Sequence, residues 1–282
     1  MASSKQSTSK KPVVLSIETN AGGVSKSTIA YNLAYELGVM GFQVGLIELD
    51  PNLSLALFCG LIKQGKLAKE IPGTTADVLD SEFDGAYPWI SIWEDKTKNV
   101  QMCVGGDPLY GSIRQIDRDP MGVMTLAKRF KQYPINKDFI IIDCPATLEP
   151  LPFVALAAST HVLLPIHPEY KAGFGTATML AWFDKKINDL DRDPPPKIVG
   201  MVVSRIKSDW EFQQKIANSI EVVAKRRKLR YFTPIPENAY IAKAAGKGLP
   251  LGLYRRNEPV RKQYLEIAQA LIDELNTSRG AV

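Results

Sequence analysis

The chain has 282 residues, of which 45% are hydrophobic and 23% charged, with 35 Lys/Arg against 30 Asp/Glu. That composition is ordinary for a soluble globular protein and long enough for one large α/β domain or two small ones. No apolar run reaches the length needed to cross a bilayer, and the N-terminus lacks the apolar core of a signal peptide. Cys59, Cys103 and Cys144 are widely spaced without a CxxC pair, so they read as free thiols of a reducing cytoplasm.

Residues 1–12 are rich in Ser, Lys and Thr and read as a flexible polar tail, leaving 13–282 as a single domain. From Val13 onward, short apolar runs alternate with helical patterns. That alternation is the signature of an α/β fold, a doubly wound, mostly parallel sheet with helices on both faces. The runs Val13–Ile17, Val44–Leu49, Val100–Val104 and Phe139–Ile142 read as strands, as does the apolar run flanked by His161 and His167. Helical patterns lie near Ser27–Met40, Asp119–Tyr133, Leu151–Ala158, Phe174–Asp189, Asp209–Arg227 and Asn257–Leu275. Pro120 fits the first turn of the second of these, where a missing N–H is tolerated. Residues 62–92 are irregular, Gly105-Gly106-Asp107 reads as a loop, and Pro194-Pro195-Pro196 as a stiff link into the next strand. His161 and His167 flank one apolar strand without companions for a metal, so both read as structural.

The segment Asn20-Ala21-Gly22-Gly23-Val24-Ser25-Lys26-Ser27-Thr28 stands between a buried strand and a helix. A phosphate-binding loop requires that order, because backbone N–H groups and the positive end of the helix dipole then converge on an anion. Gly22, Gly23, Val24, Ser25 and Thr28 would line the phosphates, Lys26 would reach their far end, and the Ser27 hydroxyl would hold Mg²⁺. Two later strands end in carboxylates, at Glu48-Leu49-Asp50-Pro51-Asn52 and at Asp143-Cys144-Pro145. Ligands of a parallel sheet sit beyond the carboxyl ends of its strands, so Lys26, Asp50 and Asp143 can share one crevice.

On these motifs the chain resembles the ParA/MinD group of deviant Walker ATPases, and most closely the ParA-type partition proteins. Residues 21–28 are similar to the family's Lys-Gly-Gly-x-Gly-Lys-Thr/Ser-Thr loop, 48–52 to its Asp-x-Asp-Pro-Gln segment, and 143–145 to its Asp-x-Pro-Pro Walker B. Leu164-Pro165-Ile166-His167-Pro168-Glu169-Tyr170 is similar to the next strand and its Glu-Tyr ending. The likeness runs from about Val13 to Leu275. It implies ATP and Mg²⁺ as ligands, Asp50 orienting the attacking water, Asp143 assisting Ser27 at the metal, and Ser204 and Pro236 framing the adenine. It further implies an ATP-dependent homodimer that binds nonspecific DNA, positions a plasmid, chromosome or carboxysome, and is released by a small adaptor protein that stimulates slow hydrolysis. The expected location is the cytoplasm, nucleoid-associated when ATP-bound.

The chain departs from the family pattern at two loop positions. Ala21 stands where the family has a lysine that reaches the partner's phosphates, a lysine that carboxysome-positioning relatives also lack. Ser25 stands where it has glycine, and a left-handed backbone there would cost on the order of 1 kcal/mol. Lys171 is a candidate to cross the dimer instead. Two rival readings follow, a nucleotide-dependent scaffold that never turns over and a metabolic ligase of the same superfamily.

Between Lys197 and Lys262 the chain carries 15 Lys/Arg and 5 Asp/Glu, so the net charge of +5 hides a basic C-terminal half. Arg226, Arg227, Lys243, Lys247, Arg255 and Arg256 are the candidates for DNA, by phosphate neutralisation without base readout. The last helix ends in Asp273-Glu274, which anionic lipid would repel, so no membrane partner is expected.

Overall fold

Apolar runs rich in Val and Ile dictate the centre of the molecule. The computed structural model describes residues 11–19, 22–63, 66–67, 70–146, 150–169, 172–207 and 209–280. The strands are β1 (Val13–Ile17), β2 (Val44–Glu48), β3 (Ile62–Lys63), β4 (Lys66–Leu67), β5 (Ile90–Ser91), β6 (Val100–Cys103), β7 (Phe139–Asp143), β8 (His161–Ile166), β9 (Lys197–Ile206) and β10 (Tyr231–Pro236). Eight of them form one sheet in the order β10-β9-β8-β1-β7-β2-β6-β5. All pair in parallel except the edge strand β5, which runs antiparallel to β6. β1, β2 and β7 are buried at every residue, as strands covered on both faces must be.

The helices are α1 (Lys26–Val39), α2 (Ser54–Phe58), α3 (Thr75–Leu79), α4 (Leu109–Arg118), α5 (Thr125–Gln132), α6 (Leu151–Ala158), α7 (Ala172–Asp189), α8 (Glu211–Arg226), α9 (Ala239–Ala245), α10 (Leu251–Tyr254) and α11 (Arg261–Gly280). Odd-numbered residues of β1 (Val13, Leu15, Ile17) face a core shared with α1, α2, α10 and α11. Val14 faces the opposite core, against α3 to α6, while α7 and α8 close that side over β8 and β9. The expected helix at Asp119–Tyr133 instead starts late, with a single 3-10 turn at Gly122–Met124 before α5. α4 ends at Arg118, Asp119 Oδ1 accepts the Met121 N–H, and Gly122 packs so closely on Ile116 that an added Cβ would lie 2.4 Å from its carbonyl oxygen. Pro120 therefore lies in a break between helices, and the next one starts at Thr125.

α1 is buried along most of its length and is tied to the C-terminal elements by polar contacts. Glu36, 1% exposed, takes two hydrogen bonds from the Arg261 guanidinium at 2.6 and 2.7 Å, and Asn32 accepts the Leu251 N–H at 2.7 Å. α11 buries Tyr264, Ile267, Ala268, Leu271 and Leu275 on the domain, as its apolar spacing implied. Its far end returns to the start of the strands, where Arg279 pairs with Asp138 and Val13 N–H donates to the Asp138 carbonyl. No helix among the described residues is long and apolar enough to cross a membrane. The tail at residues 1–10 lies outside the described residues, as do Ala21 and Lys171.

Candidate nucleotide site

The register of three strands builds the site. Ile17 of β1 lies beside Asp143 of β7, which lies beside Glu48 of β2, so their carboxyl ends stop at one level. The chain leaves β1 into the glycine loop and enters α1 at Lys26. The first-turn N–H groups of α1 have no intrahelical partner and carry the positive end of its dipole. Gly23 has φ +70° and Ser25 has φ 68°, both left-handed. The strain expected at Ser25 is therefore real. Ser25→Gly is expected to raise stability by about 1 kcal/mol, a melting shift of about 2–4 °C. An unchanged melting temperature would show that the surrounding contacts absorb the strain.

Lys26 is 7% exposed, Asp50 9% and Asp143 not at all. Burial pushes the Asp143 carboxyl up to about 7; the Ser27 hydroxyl and the Lys26 ammonium oppose the rise, and Asp50 adds to it. Lys26, Ser27 and Asp50 thus all lie close enough to act on Asp143. Both Asp143 oxygens are buried without a partner in hydrogen-bond geometry. An orphaned carboxylate beside a hydroxyl offers oxygen donors to a hard cation, and Mg²⁺ is commonly held by one or two protein oxygens with the rest from phosphates and water. The residues therefore fit Mg²⁺ at Ser27 and Asp143. Asp50 Oδ1 accepts two hydrogen bonds from Asn52, through its backbone and side-chain nitrogens, each at 2.9 Å.

A cavity of about 1210 Å³ begins at the loop and runs past Asp50 to the ends of β9 and β10. Gly23 to Thr28 line it, together with Arg205, Pro236, Glu237 and Asn238. Ser204 is placed differently from the expectation: it is fully buried, and its hydroxyl donates to the Val24 carbonyl at 2.9 Å.

Three groups were not assigned a role from sequence. Glu48 Oε1 accepts the N–H groups of Leu55 and Ala56, and Oε2 that of Gly105, so it fixes the segment carrying Asp50. Glu18, 2% exposed just beyond β1, has both oxygens buried without a hydrogen-bond partner. Burial lifts its carboxyl to about 8, with Ser16 and Lys26 pulling the other way. Arg205 is the third.

The basic residues divide into two groups. Arg255 stacks on Tyr240 at 3.9 Å and pairs with Glu258 at 3.1 Å; Lys243 lies 5.4 Å from the same ring. Lys247 and Arg256 are exposed on this same stretch around α9 and α10. Arg226 and Arg227 instead end α8, on the opposite face of the sheet, and Arg227 pairs with Asp184 of α7. The sequence cluster is therefore not one surface patch, because α8 and α9 flank β10 from different sides.

A mostly parallel sheet whose first strand feeds a phosphate loop, with acids at two neighbouring strand ends, defines a P-loop ATPase of the ParA/MinD Walker type. A family model described as an AAA domain matches residues 13–193, and the chain belongs to that family. The sporulation initiation inhibitor protein Soj of Bacillus subtilis is 27% identical over 259 residues, covering 91% of this chain and 96% of Soj. Among solved structures, an ATP complex of a Cyanothece McdA variant superposes with a TM-score of 0.77 at 20% identity, covering 94% of this chain and 97% of that one. The septum site-determining protein MinD of Pyrococcus horikoshii, complexed with Mg-ADP, gives 0.71 at 21% identity over 95% and 98%.

Proposed function

We propose that residues 13–282 form one ATPase domain that dimerises on ATP, binds nonspecific DNA in that state and positions a cargo with an adaptor protein. The observation that carries the reading is the meeting of Lys26, Ser27, Asp50 and the orphaned Asp143 at one sheet edge. The loop N–H groups and Lys26 bind and neutralise the phosphates, and Asp50, held by Asn52, orients the attacking water. Ser27, with Asp143 beside it, would hold Mg²⁺, which would supply further charge neutralisation at the phosphates. Hydrolysis is slow and is stimulated by the adaptor and DNA; the protein works in the cytoplasm, on the nucleoid while ATP is bound. The chromosome-partitioning ATPase Soj of Thermus thermophilus, 24% identical over 260 residues, supports this use of the fold.

The strained Ser25 favours one second reading, a scaffold in which ATP is dimer glue and is never turned over. Phosphate release by purified protein, with and without nonspecific DNA, alongside ATP-dependent sedimentation, separates the two. Turnover with dimerisation supports the switch; dimerisation without turnover supports the scaffold; neither defeats both.

For DNA, the cluster around Tyr240 is the stronger candidate, since it gathers Lys243, Lys247, Arg255 and Arg256 on one exposed stretch. Neutralising Arg255 and Arg256 together is expected to lower the salt dependence of DNA binding by about two charge units and to leave ATP binding unchanged. Unaltered DNA binding in that double variant would move the interface elsewhere.

A further inference from the structure

Two adjacent residues at the end of β9 hold two adjacent carbonyls of the phosphate loop. The Ser204 hydroxyl donates to the Val24 carbonyl at 2.9 Å, and Arg205 Nη1 donates to the Gly23 carbonyl at 3.1 Å. Consecutive side chains of a regular strand point to opposite faces, so both could not ordinarily reach one loop. Arg205 has φ 57°, a left-handed value uncommon for a non-glycine residue. That twist breaks the alternation and turns both side chains toward the same target.

The two residues are themselves held. His167 Nδ1 donates to the Ser204 carbonyl at 3.1 Å. The Arg205 guanidinium also meets Glu237, at 3.5 Å, and Lys207 meets the other oxygen of the same carboxylate at 3.5 Å. Glu237 directly follows β10, so the ends of two strands brace the loop.

The consequence follows from the planar trans peptide, in which a carbonyl and the N–H of the next residue point in opposite directions. Fixing the Gly23 carbonyl toward Arg205 aims the Val24 N–H the other way. Fixing the Val24 carbonyl toward Ser204 does the same for the Ser25 N–H. We infer that Ser204 and Arg205 are positioning residues, a clamp that turns the loop N–H groups toward the phosphates of the nucleotide. The clamp rests on the reading of this loop as a nucleotide site. It also accounts for Ser25 keeping a left-handed backbone without glycine, since the carbonyl before it is pinned.

The test is calorimetric titration of Mg-ATP into wild type, Arg205→Ala, Arg205→Gln, Arg205→Lys and Ser204→Ala. Removing one donor from a loop carbonyl is expected to weaken ATP binding about tenfold in Arg205→Ala and in Ser204→Ala. Arg205→Gln keeps an N–H donor without charge and is expected to restore affinity to within about twofold of wild type. A merely structural loss would not be rescued in this way. Arg205 is half-exposed, so its variants keep the test decisive even where Ser204→Ala folds poorly. Wild-type affinity in Arg205→Ala overturns the clamp. Loss of affinity in Arg205→Ala that neither Arg205→Lys nor Arg205→Gln relieves also overturns it. No binding by wild type defeats the nucleotide reading together with the clamp.

Discussion

Asp50→Ala is expected to reduce ATP turnover by about 10²–10⁴-fold while leaving ATP affinity nearly unchanged. The carboxylate sits two residues beyond β2, almost fully buried, with one oxygen already satisfied by Asn52. In the proposed reading the other oxygen holds and orients a water, a contact made in the reaction and contributing little to ground-state binding. Lys26 would have the contrary role, its ammonium neutralising phosphate before and during reaction, so Lys26→Ala should lose binding itself. The informative comparison is single-turnover hydrolysis beside equilibrium binding for both variants. Turnover persisting in Asp50→Ala would remove Asp50 from the reaction. Weakened binding in Asp50→Ala would mean that it shapes the loop instead.

Glu18→Gln is expected to stabilise the nucleotide-free protein at pH 8 by several kcal/mol, and hardly at all near pH 5. The sign follows from the raised pKa. The carboxyl ionises near 4.5 when exposed in the unfolded chain but only at about 8 in the fold. Between those values the folded state holds the extra proton, so stability falls as pH rises through this window and levels off above it. Glutamine has the shape of the protonated acid and cannot ionise, so it removes this contribution. At roughly 2–4 °C per kcal/mol for a chain of this size, the variant's melting temperature should exceed wild type by about 10 °C at pH 8. A melting difference that does not change between pH 5 and pH 8 would show that Glu18 carries no buried proton.

Much of the fold is visible in the sequence because its strands are buried on both faces and therefore read as continuous apolar runs. The pattern at Leu151–Ala158 marks the bounds of α6. Short elements leave no such periodicity: α2, α3 and α10 span one turn or little more, and the amphipathic α4 begins just after the Gly105-Gly106-Asp107 loop. Lys26, Ser27, Asp50 and Asp143 are legible because motif order and strand ends place them before any contact is known. Glu18 is not. A carboxylate at a strand exit usually meets water, and here its neighbours arrive from distant parts of the chain, Leu163 accepting its own N–H. Nor does proximity in sequence reveal that Arg227 and Lys243 lie on different faces, since that depends on which side of β10 each helix crosses.

Asp138 sits at the start of β7 and meets both Val13, where β1 begins, and Arg279, near the close of α11. The two ends of the described chain thus emerge side by side at the sheet edge opposite the phosphate loop. Val13 and Arg279 therefore lie on the side of the sheet away from the phosphate loop. The same proximity makes the chain a reasonable subject for circular permutation, with a short linker across Asp138 and new ends opened in an exposed loop.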